Sequence, residues 1–276
     1  DEGDIHSFNT YVSGNHEHCI CGKEHKKIGD HTDSNMINFV ACSNANALPT
    51  KNDIDQSNSK YFYLTKSVEF TEEWQVPVDG MVICLNGHDI ICKSSYKTDD
   101  VINVTKGYTF TITDCEGIGK ISSNNTCRGV SLSGVRNVTT FDSDQVTTFN
   151  LYGGKICNNT TGDSGYGGIY LNGNDTRTLF NMYGGEISNN TSGDSGGGIL
   201  IGQYSKVNVY GGSISNNNSG GSGGGIYSSG YLSIKEKAVI SGNTAKGNGG
   251  GIYNSFMKMS SSSTGQSTVP GECIIE

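Results

Sequence analysis

The chain has 276 residues, of which 40 are Gly and only three Pro, and its formal net charge is −8. Gly inside helices costs about 1 kcal/mol per site, so this composition excludes a helical protein, and with no Gly at every third position and almost no Pro it is not collagen either. No stretch reaches the ~20 apolar residues of a membrane span. The acidic balance sets aside nucleic acid and anionic membrane surfaces as partners, because both call for clustered Lys and Arg.

Residues 1–60 read as a small N-terminal cap segment, poor in Gly and holding five of the six His. Asp1 stands where an initiator Met would, which reads as a mature fragment. The run His16-Glu17-His18-Cys19-Ile20-Cys21-Gly22, followed by His25 and His31, is the strongest chemical signal of the chain. Zinc takes four N and S ligands tetrahedrally at about 2.0–2.3 Å, and such a site lets a small polar segment fold without a large core. The expected ligands are Cys19, Cys21 and His31 with His16 or His18; His25 lies among Lys23, Lys26 and Lys27, whose charges oppose a cation. Disulfide pairing or plain thiols beside solvated His is the competing reading of the same residues. Catalytic zinc is disfavoured, because it must leave one coordination position open. Nine Cys are too few for a dense disulfide scaffold. Those flanked by apolar residues, as in Val82-Ile83-Cys84-Leu85, read as small buried hydrophobes.

From Tyr61 to Phe70 the chain opens a stack. Val82, Cys84, Ile90 and Cys92 suggest one turn, and Phe110, Ile112, Ile121, Val130 and Leu132 another. Four copies of one pattern follow: FNLYGGKICNNTTGDSGYGGIY at 149–170, FNMYGGEISNNTSGDSGGGIL at 180–200, VNVYGGSISNNNSGGSGGGIY at 207–227, and a weaker copy at 232–253. Their Gly-Gly-Ile positions end at Ile169, Ile199, Ile226 and Ile252, in steps of 30, 27 and 26 residues. That period, with this Gly density, fits one solenoid turn of three short strands per copy. Phe149 and Leu151, Phe180 and Met182, and Val207 and Val209 alternate with polar residues, the period-two sign of a half-buried strand. Asn159, Asn190, Asn217 and Asn243 fall at a corner, where Asn tolerates left-handed backbone and stacked amides can hydrogen-bond from turn to turn. The expected fold is all-β, a right-handed parallel β-helix over 61–276 with roughly seven turns, hence a rod of about 35 Å.

The stretches CLNGH at 84–88 and DCEGIGKI at 114–121, with the repeated YGGxISNN and GGGIY, resemble adhesin-like secreted or surface proteins of Gram-positive gut bacteria. The chain from Tyr61 onward is similar to right-handed parallel β-helices of the pectate-lyase-like superfold. The resemblance implies a fold and an extracellular address, secreted or on the cell surface, and implies no reaction. It also implies that an HxHCxCG segment opens the β-helix.

Two functions compete. One is a non-catalytic adhesin-like or structural module whose partners are host or dietary glycans or a surface protein. The alternative is a polysaccharide lyase or glycoside hydrolase using the region 128–148. The stretch Ser133–Thr148 is an insertion, and its Arg136, Asp142 and Asp144, with Arg128 just before it, are the candidate ligand-binding residues. No catalytic residue is assigned. Asp163 and Asp194 share a repeat position and invite comparison with a carboxylate pair, but the third copy has Gly221 there, so the repeated corner accounts for both. Tyr152, Tyr183 and Tyr210, and separately Tyr170, Tyr227 and Tyr253, are expected to face outward, where they either stack on one another or pack on sugar rings.

Overall fold

The computed structural model describes residues 39–255, apart from 95–99, 126, 139, 163–164, 174–175 and 236, together with the strands Thr10–Ser13, His16–Cys19 and Cys273–Ile275. Three parallel sheets make a β-solenoid. The first has nine strands, running in space from Val40–Cys42 through Tyr61–Leu64, Met81–Cys84 and Thr109–Thr113 to Tyr231–Ile234 and Cys273–Ile275. The second has seven, from Val68–Phe70 to Ala238–Ser241, and the third seven, from Trp74–Gln75 to Ile252–Asn254. Seven three-strand rungs are therefore separated by six steps of about 4.8 Å, or about six turns.

Alternation along each strand decides what points inward, and the parallel register then places like residues on like. On the first sheet Phe110, Phe149 and Phe180 are fully buried, with ring centroids 5.9 and 5.3 Å apart and planes within 15°. Trp74 closes that column edge-on at 5.7 Å. The second sheet contributes Ile90, Ile121, Ile156, Ile187 and Ile214, and the third Ile102, Val130, Ile169, Ile199 and Ile226, all with no exposed surface. Each such side chain contributes roughly 1.5–3 kcal/mol by leaving water.

The corner after the second sheet differs in one respect from the expectation. The left-handed residue is the first Asn of each pair, Asn158, Asn189 and Asn216, at φ 54 to 56°, with Gly242 taking the place in the last copy. The second Asn turns inward and forms the ladder. Asn159 Nδ2 donates to Asn190 Oδ1 at 2.9 Å, Asn190 Nδ2 to Asn217 Oδ1 at 3.0 Å, and Asn217 Nδ2 to Asn243 Oδ1 at 3.0 Å. The same oxygens accept backbone N–H groups of the preceding rung, including those of Ser123, Asn159 and Asn190. Each Nδ2 also reaches a backbone carbonyl of the rung before, as from Asn190 to Ile156 at 2.9 Å. A Gly column faces the ladder: a Cβ on Gly198 would stand 2.6 Å from the Gly225 carbonyl oxygen and 3.0 Å from Asn217 Nδ2. Later rungs add a short fourth sheet of Thr191–Ser192, Asn218–Ser219 and Thr244–Ala245.

At the N-terminal side the stack already begins with Val40–Cys42, inside the stretch expected as cap. The helix Lys51–Ser57, the only one among the described residues, follows, opened by a reciprocal capping box between Thr50 and Asp53 and ended by left-handed Asn58. Its Ile54, with Leu48, is buried in the main core. Thr10–Ser13 and His16–Cys19 pair as an antiparallel hairpin. At the other side Cys273–Ile275 pairs in parallel with Tyr231–Ile234 and so extends the first sheet.

Asn190→Ala deletes four buried hydrogen bonds of the corner and leaves donors and an acceptor without partners, each at a cost of about 1–3 kcal/mol. Asn208→Ala removes an amide of the outer ladder on the first sheet, where water can replace it. Urea unfolding should show a loss of about 3 kcal/mol or more for the first and below about 1 kcal/mol for the second. Equal losses would mean that the corner ladder has no special place in the fold.

Candidate functional site

The third sheet presents one continuous outer row. Gln75, Asn103, Ser131, Tyr170, Leu200, Tyr227 and Tyr253 are paired in register across seven strands. They face outward because Ile102, Val130, Ile169, Ile199, Ile226 and Ile252 beside them face the core. The row is polar in its first half and aromatic in its second.

The polar half is built on Asp100, which opens the strand Asp100–Val104 and lies opposite Arg128, the first residue of Arg128–Ser133. Arg128 Nε donates to Asp100 Oδ1 at 2.6 Å and Nη2 to Oδ2 at 3.1 Å, while Ser131 Oγ donates to Oδ2 at 2.5 Å. Asp100 is 2% exposed, whereas the Arg128 side chain keeps 21% of its surface. The guanidinium lies 5.9 Å from the ring centre of Tyr170, and Tyr166 leans on that ring at 4.4 Å. Beside them Asn103 Nδ2 donates to Glu73 Oε1 at 2.7 Å, and Asn103 Oδ1 is buried without a hydrogen-bond partner.

Burial pushes the Asp100 carboxyl up to about 7, against the opposing pull of Arg128 and Ser131, with the nearby Glu73 charge adding to the rise. Both carboxylate oxygens are engaged, so the group is placed to hold and aim Arg128 and not to take a proton from a ligand. The Arg128 side chain keeps part of its surface exposed and lies next to the Tyr170 ring, so a cation and an aromatic face stand side by side on the outer row.

Of the four candidate ligand-binding residues, the structure gives Arg128 these partners and places the other three elsewhere. Ser133 lies about 17 Å along the strand from Arg128. There the chain leaves the third sheet, and the loop returns to the first sheet at Thr147. Arg136 is exposed and pairs through its backbone with Thr176. Asp142 and Asp144 are exposed as well. The loop is pinned by Phe141, whose ring meets Tyr231 edge-on at 5.7 Å, Arg177 at 5.6 Å and Lys206 at 6.0 Å; Arg177 in turn lies 4.6 Å over Tyr204. Phe141 thus reaches three successive rungs and lays the loop across the first sheet. The sequence reading did not single out Asp100, Ser131, Asn103 or Phe141.

The two Tyr columns differ. Tyr152, Tyr183 and Tyr210 stack face to face at 4.4 and 5.0 Å with planes 8 and 9° apart, so their ring faces are used on one another. Tyr152 is 3% exposed, Tyr183 is half-buried, and Tyr210, at 38%, opens to water. Tyr227 and Tyr253 are half-buried, 5.5 Å apart and tilted by 33°. Asp194 belongs to its corner: its N–H donates to Ser192 Oγ at 3.1 Å, and Ser195 Oγ lies 3.4 Å from Oδ1. Asp163 lies outside the described residues, as do Cys21, His31 and the side chains of His16, His18 and Cys19. Among the described residues no group of three or more His, Cys, Asp or Glu is placed to hold a metal ion.

Because the folded-state value of Asp100 exceeds the ~3.9 of an unfolded chain, the folded protein keeps a proton between about pH 4 and 7 that the unfolded chain has released. Stability contributed by this group is therefore present at low pH and falls as pH rises through that window. Comparing urea midpoints at pH 5 and pH 8, the drop should be smaller in Asp100→Asn than in the unaltered chain; identical drops would show that Asp100 titrates as an ordinary carboxylate. Comparison with protein-family models, with curated proteins and with solved structures finds nothing that matches this chain.

Proposed function

We propose that the chain is a non-catalytic, adhesin-like β-solenoid module, secreted or displayed on a cell surface, that binds extended glycans along the outer face of its third sheet. The observation that carries this reading is the in-register row Tyr170, Leu200, Tyr227 and Tyr253, continued by Arg128. Its step of about 4.8 Å per rung is comparable to one pyranose unit in an extended chain, so successive sugars meet successive rungs. Half-buried Tyr rings offer apolar faces to sugar rings, and Arg128 places a partly exposed cation beside Tyr170 at the end of the row. The extracellular address and the gut-bacterial, pectate-lyase-like kinship rest on the resemblance of the CLNGH, DCEGIGKI and YGGxISNN stretches. A structural zinc held by Cys19, Cys21, His31 and one of His16 and His18 completes this reading at the N-terminal segment.

The second reading is a polysaccharide lyase or glycoside hydrolase, favoured by one observation: a carboxyl near 7 next to an arginine. Against it stands the occupation of both Asp100 oxygens by Arg128 and Ser131.

On an array of oligosaccharides the protein should bind extended chains without degrading them. Tyr227→Ala should weaken that binding about tenfold, equivalent to about 1.4 kcal/mol. An array without hits would remove the glycan reading, and turnover abolished by Asp100→Asn would replace it with the enzyme. X-ray fluorescence of protein prepared without chelator should report about one zinc per chain, as one tetrahedral site requires. That signal should vanish in a Cys19→Ser, Cys21→Ser double variant; its absence from the unaltered protein retires the metal.

A further inference from the structure

The outer face of the first sheet carries a small apolar cluster of Phe39, Val82 and Cys84, with Tyr61, Tyr63 and Cys115 packed against it. Cys84 ends the strand Met81–Cys84 and is paired in register with Thr113 of the next rung. Directly after Thr113, the corner is fixed by the buried Asp114 carboxylate. Its Oδ1 accepts from the Gly87 N–H at 2.8 Å and its Oδ2 from the Gly119 N–H at 2.7 Å. Register on one side and this clamp on the other hold Cys115 over Cys84. The Cys84 thiol donates to Cys115 Sγ at 3.6 Å, and the Cys115 thiol lies 3.4 Å from Asn86 Oδ1. Both stand as thiols, Cys84 fully buried and Cys115 half-buried.

We infer that Cys84 and Cys115 form a redox modification site, a dithiol that takes a low-molecular-weight disulfide as oxidant and closes into a covalent staple between adjacent rungs. The sulfurs need to approach by only about 1.6 Å to reach the ~2.0 Å of a disulfide. Access decides the order of events. Cys115, the exposed partner, loses its proton and its thiolate attacks one sulfur of the oxidant, forming a mixed disulfide and releasing one small thiolate. Cys84 then loses its proton and attacks Cys115 Sγ, forming the intrachain bond and expelling the second small thiolate. Two protein thiols and one small disulfide become one protein disulfide and two small thiols, so atoms and electrons balance. The hydrogen bond with the Cys115 sulfur and then burial hold the Cys84 thiol well above its ordinary range, so the second step is the slow one. The closed bond spans 30 intervening residues and locks two rungs whose register is already set.

The test uses the full chain, reduced, desalted and incubated under native conditions with oxidised glutathione at mildly alkaline pH, then alkylated, digested and mapped by mass spectrometry. The expected product links the peptides of Cys84 and Cys115, with the loss of two titratable thiols and a rise in thermal midpoint on the order of 5–10 °C. Cys115→Ser, a change at a half-buried position, should fold and show no such rise. Recovery of both cysteines as alkylated thiols, a glutathione adduct that persists on Cys115 without exchange, or pairing of either with a different cysteine would overturn the assignment.

Discussion

One constraint governs the rest of this molecule: each rung must lie in register on the one before it, and through the repeated copies the buried amides at the corner enforce that register. Hydrophobic side chains alone permit slippage along the strand, because Ile on Ile and Ile on Val are nearly equivalent. An amide whose oxygen accepts from the preceding rung, and whose nitrogen donates both to a carbonyl there and to the next amide, permits one alignment only. The Gly column is the counterpart of that ladder, since the space a Cβ would need at Gly198 is taken by the Asn217 amide and the next carbonyl. Asn and Gly at those positions are thus one structural device.

Register fixed inside the solenoid is also register fixed outside it. Because like positions superpose, the outer surface is organised in columns: amides Asn150, Asn181 and Asn208 on the first sheet, the Tyr stack at the following corner, and the row from Gln75 to Tyr253 on the third sheet. A ligand meeting such a surface sees a periodic lattice, and a periodic polymer is the partner that gains most from it. The polar half of the third-sheet row departs from repetition. There Asp100, Arg128 and Ser131 come from rungs with unlike sequences, and this gives one end of the row a chemistry of its own.

The repeated copies made the architecture legible, since the inward Phe and Ile, the outward Tyr and the stacked Asn can all be read from period two and from the 26-to-30-residue step. Which Asn of each pair takes the left-handed backbone was not legible. Both positions carry the same residue, and only the observed direction of the chain at the corner shows that Asn189 turns while Asn190 points in. The Asp100–Arg128 pair was hidden for a different reason: it joins residues 28 apart in the irregular early turns, where no repeat announces the register. Phe141 was hidden too, because a loop side chain that lands three rungs away leaves no local pattern. Arg128, Arg136, Asp142 and Asp144 looked like one group because they are near in sequence, but a strand of about 17 Å and a change of sheet lie between the first and the others.

The two Tyr columns show how the same side chain acquires different roles from its place on the rung. Tyr152, Tyr183 and Tyr210 precede Gly pairs whose second members, Gly154, Gly185 and Gly212, take φ of 80 to 87°. The chain turns sharply there and the rings settle flat on one another, spending their faces on mutual contact. Tyr170, Tyr227 and Tyr253 sit within strands, and Leu200 interrupts their column, so Tyr170 is left to Arg128 and Tyr166 while Tyr227 and Tyr253 meet at a tilt. A continuous aromatic stack would have been more self-sufficient and less receptive. The break at Leu200 keeps ring faces partly open on a rigid sheet, and it is this openness, absent from the flat Tyr152–Tyr210 stack, on which the proposed glycan-binding role rests.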